Sequence, residues 1–281
     1  MRPHRIACLQ TRPMPEMALA VDEAMPLARQ AMDEGAEFLF LPEYCGGLKT
    51  EGAVLAPPCA TENKHDVLLA FREFALQNKV WVMLGSIAVP APDGKIINRG
   101  FVIDATGKIQ SRYDKIHMFD IQLSENESYR ESARVAPGNQ ASLVETPIGT
   151  IGHTICYDLR FPQLYRDLAQ SGAELLCAPA AFVKETGEAH WHVLNRARAI
   201  ENGSYMISPC AIGSVPGGGA SYGHSLIVDP WGAILADGGE TPGVICADID
   251  LDQVQSARSR IPSLTHDRRF SITTSEDRSV A

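Results

Sequence analysis

The segment Ile151-Gly152-His153-Thr154-Ile155-Cys156-Tyr157-Asp158-Leu159-Arg160-Phe161-Pro162 joins an apolar, β-branched run to a helix-like pattern. The run predicts a strand over Thr150–Cys156, and the apolar periodicity after it predicts a helix over Phe161–Ser171. A cysteine at such a turn is expected to expose its sulfur at the sheet edge, near the positive end of the helix, which favours the thiolate. Cys156 is therefore a candidate nucleophile, although many cysteines are simply buried and inert.

Composition excludes several classes of protein. The 281 residues are 45% hydrophobic and 21% charged, which is typical of a soluble globular enzyme. The net charge of −9 argues against a nucleic-acid surface, and no apolar run has the ~20 residues of a membrane span. The apolar run near the N-terminus is too short for a signal-peptide core. Seven scattered cysteines indicate a reducing cytoplasm without a disulfide framework.

Strand and helix patterns alternate along the chain, and both halves show the same alternation. The strands predicted besides the one before Cys156 are His4–Gln10, Glu37–Pro42, Val80–Val89, Ile96–Asp104, Lys108–Tyr113, Glu174–Ala178, Tyr205–Cys210, Ser225–Val228, Ala233–Ala236 and Val244–Asp248. The other predicted helices are Met17–Glu34, His65–Lys79, Ala189–Glu201 and Leu251–Arg260. This order predicts an α/β fold with two sheets packed face to face and helices outside.

No linker divides the chain. We therefore expect one domain over residues 1–270, followed by a polar and disordered tail over residues 271–281. The glycine-rich stretch Val215–Ala220 lacks the context of a phosphate-binding loop and is interpreted as a flexible surface loop.

A cysteine nucleophile needs a proton acceptor and a group that stabilises an oxyanion. None of the eight histidines has a diagnostic position. Glu43 follows a buried strand, and active sites of α/β sheets lie at the carboxyl ends of strands, so Glu43 is a candidate general base. Lys115 also follows a strand and can supply a fixed positive charge, while Glu131 can hold that lysine or orient a leaving amine. No motif with metal-ligand spacing is found.

These residues lie in motifs that resemble those of the nitrilase superfamily, the carbon–nitrogen hydrolases. The motifs are Pro42-Glu43, Tyr113-Asp114-Lys115-Ile116-His117 and Ile155–Pro162, and they occur in the family's order. Further blocks that match are Thr186–Trp191, Arg196–Glu201, Ser221–Ser225 and Val228–Gly232. The similarity extends from about His4 to about Arg269.

The resemblance implies a four-layer α-β-β-α sandwich that dimerises through helices. It also implies that Cys156 is the nucleophile, that Glu43 is the general base, and that Lys115 stabilises the oxyanion with the backbone N–H of Tyr157. Glu131 matches a second glutamate near the family's site. The expected reaction passes through a thioester and needs no metal or other cofactor.

Within the superfamily, the chain is most similar to the deaminated-glutathione amidase and ω-amidase branches, and we favour the first. The alternatives are an ω-amidase acting on α-ketoglutaramate or α-ketosuccinamate, an N-carbamoyl amidohydrolase, a nitrilase, and a non-catalytic scaffold. The segment Tyr44–Leu48 is expected to shape the pocket. Because the favoured substrates carry carboxylates, Lys184, Arg196 and Arg198 are candidate binding residues, with surface or helix ion pairing as their alternative role.

Overall fold

The computed structural model describes residues 3–51, 54–125 and 128–274. The helices are α1 (Met17–Asp33), α2 (Asp66–Asn78), α3 (Pro162–Gln170), α4 (Lys184–Asn202) and α5 (Leu251–Arg260). The strands are β1 (His4–Gln10), β2 (Phe38–Phe40), β3 (Thr50–Glu51), β4 (Val54–Leu55), β5 (Trp81–Pro90), β6 (Ile96–Ile103), β7 (Ile109–Asp114), β8 (Asp120–Gln122), β9 (Ser128–Arg130), β10 (Ser142–Thr146), β11 (Gly149–His153), β12 (Leu175–Cys177), β13 (Tyr205–Ser208), β14 (Ile212–Ser214), β15 (Ala220–Tyr222), β16 (Leu226–Val228), β17 (Ile234–Asp237) and β18 (Gly243–Ile249).

Two six-stranded sheets form the centre of the molecule. Their strand orders are β18-β1-β2-β5-β6-β7 and β10-β11-β12-β13-β16-β17. In each sheet three neighbouring strands run parallel and the outer pairs are antiparallel. The two sheets therefore repeat one mixed topology, as the alternation in the two halves of the sequence predicts.

Apolar side chains from both sheets meet in one buried layer. Phe38 and Phe40 of the first sheet pack in the same cluster as Tyr205 and Ile207 of the second. A second cluster joins α1 and α2 to the outer face of the first sheet, and a third joins α3 and α4 to the second sheet. The predicted four-layer α-β-β-α sandwich is confirmed.

Helix α1 shows how the sequence sets this packing. Its buried residues are alanines at helical spacing, Ala20, Ala24, Ala28 and Ala31. Small side chains on one stripe let the helix lie close to the sheet, while its polar residues remain at the surface. Among the described residues, no helix combines the length and apolar character needed to cross a membrane.

Three short two-stranded ribbons that the sequence patterns did not predict project from the sandwich. They are β3-β4, β8-β9 and β14-β15. Each strand has only two or three residues, too few for an alternating pattern to be recognised. The predicted surface loop Val215–Ala220 forms the turn of the third ribbon, and Gly217 there packs against the backbone of Thr50. It is therefore part of a cavity wall rather than a free loop.

Two predicted boundaries need correction. The strand expected to reach Cys156 ends at His153, and a 3-10 helix begins at Cys156. Helix α4 begins at Lys184, earlier than the predicted Ala189, because the first five residues, Lys-Glu-Thr-Gly-Glu, show no apolar periodicity. Gly187 there packs directly against the ring of Tyr222. At the C-terminus, residues 271–274 are exposed without helix or strand, and residues 275–281 of the predicted tail lie outside the described residues.

Candidate active site

The four site residues predicted from the sequence lie around one buried point between the two sheets. Glu43 follows β2, Lys115 follows β7, Glu131 begins a short 3-10 helix after β9, and Cys156 begins another after β11. None of the four residues exposes more than 7% of its surface. Loops at the ends of strands in both sheets thus bring together residues that are far apart in the sequence.

Lys115 is the electrostatic centre of this group. Its Nζ donates to Glu43 Oε1 at 2.9 Å and to both carboxylate oxygens of Glu131, at 3.0 and 2.8 Å. Burial alone would lower the pKa of Lys115, but the carboxylates of Glu131 and Glu43 outweigh burial and raise the pKa well above its ordinary value. Lys115 is therefore a permanent cation in the site.

Glu131 holds the ammonium group from the other side. Burial raises the pKa of Glu131, and the neighbouring Glu43 adds to the rise, while Lys115 opposes both. Its Oε2 also accepts the backbone N–H of Phe119 at 2.7 Å. The side-chain amide of Asn98 donates to Oε1 at 3.5 Å, so each oxygen of Glu131 has a second donor besides Lys115.

Glu43 has a hydrogen-bond donor on each oxygen. The backbone N–H of Ala181 donates to Oε2 at 2.9 Å, and the side-chain amide of Asn98 donates to Oε1 at 2.8 Å. The sequence patterns did not identify Asn98 as a site residue. Asn98 lies next to Arg99 in strand β6 and is completely buried, which the sequence alone does not show.

Cys156 has an unusual backbone conformation. Its φ of 48° lies in the left-handed region, which is uncommon for a residue with a side chain. The backbone N–H of Cys156 donates to the carbonyl of Pro179 at 2.9 Å, and this hydrogen bond links the turn at Cys156 to the loop that follows β12. A strained turn of this kind follows β11 and resembles the sharp strand-to-helix turn of a nucleophile elbow.

The expectation of an exposed thiolate was wrong. The Cys156 side chain is buried, and burial raises the pKa of the thiol well above its ordinary value. The Glu43 carboxylate raises it further, both by its charge and by accepting a hydrogen bond from the thiol, while Lys115 lowers it. Burial and the neighbouring carboxylate thus favour the protonated thiol over the thiolate.

Asp158 stabilises the turn at Cys156 by accepting hydrogen bonds. It is fully buried and accepts hydrogen bonds from Ile155 N–H at 2.8 Å, from the Tyr113 hydroxyl at 2.7 Å and from His117 N–H at 3.0 Å. One carboxylate therefore connects the loop of the nucleophile to the strand and loop that carry Lys115. The sequence patterns did not identify this role either.

A cavity of about 380 Å³ opens above the four residues. This volume lies within the range of small-molecule sites. Five aromatic residues contribute to its wall, namely Tyr44, Phe119, Tyr129, Tyr157 and Phe182. The three short ribbons supply much of the remaining wall, including Thr50, Leu55, Arg130, Gly218 and Ser221. The predicted contribution of the segment Tyr44–Leu48 is confirmed by Tyr44 and Leu48, which both line the cavity.

The three basic residues considered for substrate binding do not line this cavity. Lys184 lies 3.9 Å from Glu188, and Arg198 forms an ion pair with Glu201 at 3.0 Å and also donates to the Leu159 carbonyl. Arg196 donates to the carbonyl of Gly232. The alternative interpretation of these residues, as surface and helix contacts, fits the structure for all three.

One group among the described residues has the donor set for a metal ion. His192, His224 and Asp237 each place a ligand atom within 4.8 Å of the others. Asp237 already forms hydrogen bonds with both imidazole rings, at 3.0 and 2.9 Å. None of the three residues lines the cavity, so this group is separate from the chemistry of Cys156.

Comparison with known proteins agrees with this geometry. The family model described as Carbon-nitrogen hydrolase matches residues 5–259. A protein of Synechocystis sp. (strain PCC 6803 / GT-S) named "Deaminated glutathione amidase" is 38% identical over 270 residues, which cover 95% of this chain and 98% of that protein. A mouse protein of the same name is 38% identical over 250 residues, covering 86% of this chain and 76% of that protein.

Solved structures give the same result. The C. elegans NitFhit protein matches with a TM-score of 0.85 and 32% identity, over 95% of this chain and 66% of that chain. Saccharomyces cerevisiae Nit3, described as a member of branch 10 of the nitrilase superfamily, matches with a TM-score of 0.81 and 27% identity, over 96% and 97% of the two chains. The chain is thus a carbon–nitrogen hydrolase of the nitrilase superfamily, an enzyme that cleaves carbon–nitrogen bonds other than peptide bonds.

Proposed function

We propose that this enzyme hydrolyses the amide bond of deaminated glutathione, with Cys156 as nucleophile, Glu43 as general base and Lys115 as oxyanion stabiliser. The observation that carries the proposal is the contact of these three side chains at the floor of one small-molecule cavity. The relatives from Synechocystis and mouse carry the name of this activity. No cofactor takes part in the proposed reaction.

In the first step the Cys156 sulfur attacks the amide carbon while its proton moves to Glu43. A C–S bond forms, and the π electrons of the carbonyl move onto its oxygen. The Lys115 ammonium and the backbone N–H of Tyr157 stabilise the resulting oxyanion. Because the thiol is already hydrogen-bonded to Glu43, this proton transfer requires little rearrangement.

In the second step the tetrahedral intermediate collapses and the C–N bond breaks. Protonated Glu43 gives its proton to the leaving nitrogen, so that cysteinylglycine departs as a neutral amine and the acyl group remains on Cys156 as a thioester. A water molecule then attacks the thioester carbon while Glu43 takes up a proton from the water. The second intermediate expels the sulfur, which regains its proton, and a free carboxylic acid leaves the cavity.

Glu131 acts in this scheme by positioning Lys115. Its two oxygens both accept from the lysine ammonium, and neither is free to exchange protons with the substrate in this arrangement. Glu131 keeps the cation next to Glu43 and sets its orientation. A neutral Glu131→Gln variant should retain the fold but lower turnover, because the lysine would lose one of its two counter-charges.

The test compares hydrolysis of deaminated glutathione and α-ketoglutaramate by the purified protein. We expect kcat/KM to be at least about 10-fold higher for deaminated glutathione, because only this substrate extends into the aromatic wall on its leaving-group side. The reverse preference would make the protein an ω-amidase. Ammonia from a nitrile, or carbon dioxide from an N-carbamoyl compound, would indicate the other branches of the superfamily. No turnover with any of these compounds, while iodoacetamide still labels Cys156, would leave the mechanism in place and reopen the question of the substrate.

We further propose that the protein works in the cytoplasm as a homodimer. The seven cysteines are all unpaired, as expected in a reducing compartment. Helix α4 exposes 68% of Val193 and 51% of Ile200, and an apolar helix face of this kind suits a second copy of the chain. Sedimentation equilibrium should give twice the mass of 30.5 kDa, and Val193→Glu should shift it toward the monomer.

A further inference from the structure

The charged groups of the cavity are unequally matched. Four charged residues line it, namely Glu43, Lys115, Glu131 and Arg130. The first three form one buried network, in which the carboxylates of Glu43 and Glu131 both pair with the Lys115 ammonium. Arg130 is exposed, and within residues 3–51, 54–125 and 128–274 no carboxylate lies within ion-pair distance of its guanidinium. Among these four residues, Arg130 is thus the one whose charged group has no ion-pair partner in the described part of the chain.

The backbone explains how Arg130 comes to lie there. It is the last residue of β9, and Glu131 directly follows it. The main chain reaches into the site at Glu131, whose backbone N–H donates to the carbonyl of Phe119. Arg130 is thus one residue away from a group in contact with Lys115, but its side chain is exposed whereas that of Glu131 is buried. This places the guanidinium at the open end of the cavity.

The chemistry of the Arg130 guanidinium indicates which kind of ligand it would bind. A planar guanidinium presents paired N–H donors that match the two oxygens of a carboxylate. Lys115 is unsuitable for this task, because it is already bound to two carboxylates and is needed at the oxyanion. The other lining residues are uncharged, and five of them are aromatic. A substrate with its amide at Cys156 and a carboxylate at the mouth of the cavity would give the Arg130 guanidinium an ion-pair partner.

We propose that Arg130 binds a carboxylate of the substrate remote from the scissile amide and so selects anionic over neutral amides. This inference rests on the proposed amidase function and specifies its substrate class as amides that carry a free carboxylate elsewhere in the molecule. Two carboxylates of deaminated glutathione can satisfy it, one on the acyl part and one on the terminal glycine. α-Ketoglutaramate carries only the first, so the two compounds distinguish the positions.

The experiment measures kcat and KM of wild type, Arg130→Gln and Arg130→Lys on deaminated glutathione, α-ketoglutaramate and the neutral amide pentanamide. We expect Arg130→Gln to raise KM for a carboxylate substrate about 10-fold or more, with kcat nearly unchanged, because the lost contact is present in ground and transition states alike. Arg130→Lys should recover part of the loss. The rate on pentanamide should be the same in all three proteins.

Arg134→Gln is the matched control, since Arg134 is also exposed but does not line the cavity. A KM increase for both carboxylate substrates assigns Arg130 to the acyl carboxylate, and an increase for deaminated glutathione alone assigns it to the glycine carboxylate. Either result supports the inference. Unchanged KM values, or an equal loss on pentanamide, would overturn it.

Binding separates this inference from the proposed function. If wild type hydrolyses neither carboxylate substrate, the proposed function fails, and calorimetry of glutaramate with Cys156→Ala tests Arg130 without turnover. Cys156→Ala should bind glutaramate about 10-fold more tightly than the Cys156→Ala, Arg130→Gln double variant. Equal affinities would refute the role of Arg130.

Discussion

At the scale of single residues, the site is a cluster of buried charges that satisfy one another. Three ionisable groups, Glu43, Lys115 and Glu131, are removed from water, which is costly unless each has partners. Every oxygen of the two carboxylates has a donor, and the ammonium group has three acceptors. The cluster keeps a base and a cation in fixed positions beside a protonated thiol.

Asn98 provides the first prediction. Replacement of Asn98 by Leu removes the amide donor to Glu43 and leaves that carboxylate oxygen with only one partner. Because hydrogen bonds to charged groups contribute about 1.5–3 kcal/mol, we expect kcat/KM to fall about 10- to 100-fold. Steady-state kinetics on deaminated glutathione measure the effect. Asn63→Leu, at an exposed position, is the control; an Asn98→Leu enzyme that is folded and fully active would contradict the assigned role.

Residue types in recognisable motifs predicted Glu43, Lys115, Glu131 and Cys156, and the structure brings all four together. Residues without a motif were missed. Asp158 matters because three separate segments donate to it, and such convergence depends on the folded path of the chain. The sequence favoured a thiolate at Cys156, whereas burial raises the pKa of the thiol. The burial of this side chain depends on the fold and is not evident from the adjacent residues.

At the scale of elements, close contact between the two sheets positions the catalytic loops. Gly100 on β6 lies against the ring of His153 on β11 and the carbonyl of Gly85 on β5. A Cβ atom at Gly100 would lie 2.5 Å from His153 Nε2 and 2.6 Å from the Gly85 oxygen. Since β11 leads directly into the turn of Cys156, any side chain here would push the nucleophile loop away from the first sheet.

Gly100→Ala therefore tests the contact between the sheets. We expect it to lower the free energy of unfolding by about 1–3 kcal/mol or more, the usual cost of overpacking. Activity should fall as well, because the turn at Cys156 would move relative to Glu43. Urea denaturation and kinetics measure the two effects. The matched variant Gly243→Ala, where an added Cβ meets nothing within 4 Å, should behave as wild type; equal stability of both variants would refute the argument.

The longer elements were predictable and the short ones were not. Helices α1, α2, α3 and α5 and the central strands follow strong apolar periodicity, so their predicted bounds lie within a few residues of the observed ones. The ribbons that wall the cavity have two or three residues per strand and are held by contacts from elsewhere in the chain. Much of the cavity wall, including the position of Arg130, could therefore not be predicted from sequence patterns.

At the scale of the whole molecule, the four layers bury two histidines whose neutral form is favoured. His65 and His153 are completely buried, and no described residue forms a hydrogen bond with their ring nitrogens. Burial lowers the pKa of His65 to about 4 and that of His153 to about 3. The folded protein therefore resists protonation at two rings that the unfolded chain protonates readily.

This difference predicts acid sensitivity. Because both folded pKa values are depressed, their stabilisation is complete above the unfolded pKa of about 6.5 and is lost as the pH falls toward the folded values. Between pH 7.5 and pH 5.0 each histidine should reduce the free energy of unfolding by about 2 kcal/mol. Urea titrations at the two pH values measure the change. In His153→Leu and in His65→Leu the change should shrink by about that amount, and an unaltered change in both variants would contradict the assignment.

The most direct test of the proposed mechanism is detection of the thioester intermediate on Cys156. Wild-type enzyme turning over deaminated glutathione is quenched in acid and analysed by intact and peptide mass spectrometry. We expect an added mass equal to the acyl part of the substrate, located on the peptide that contains Cys156. In Cys156→Ala both the adduct and the turnover should be absent, with unchanged thermal stability. Substantial turnover by Cys156→Ala, or an acyl group on another residue, would contradict the mechanism.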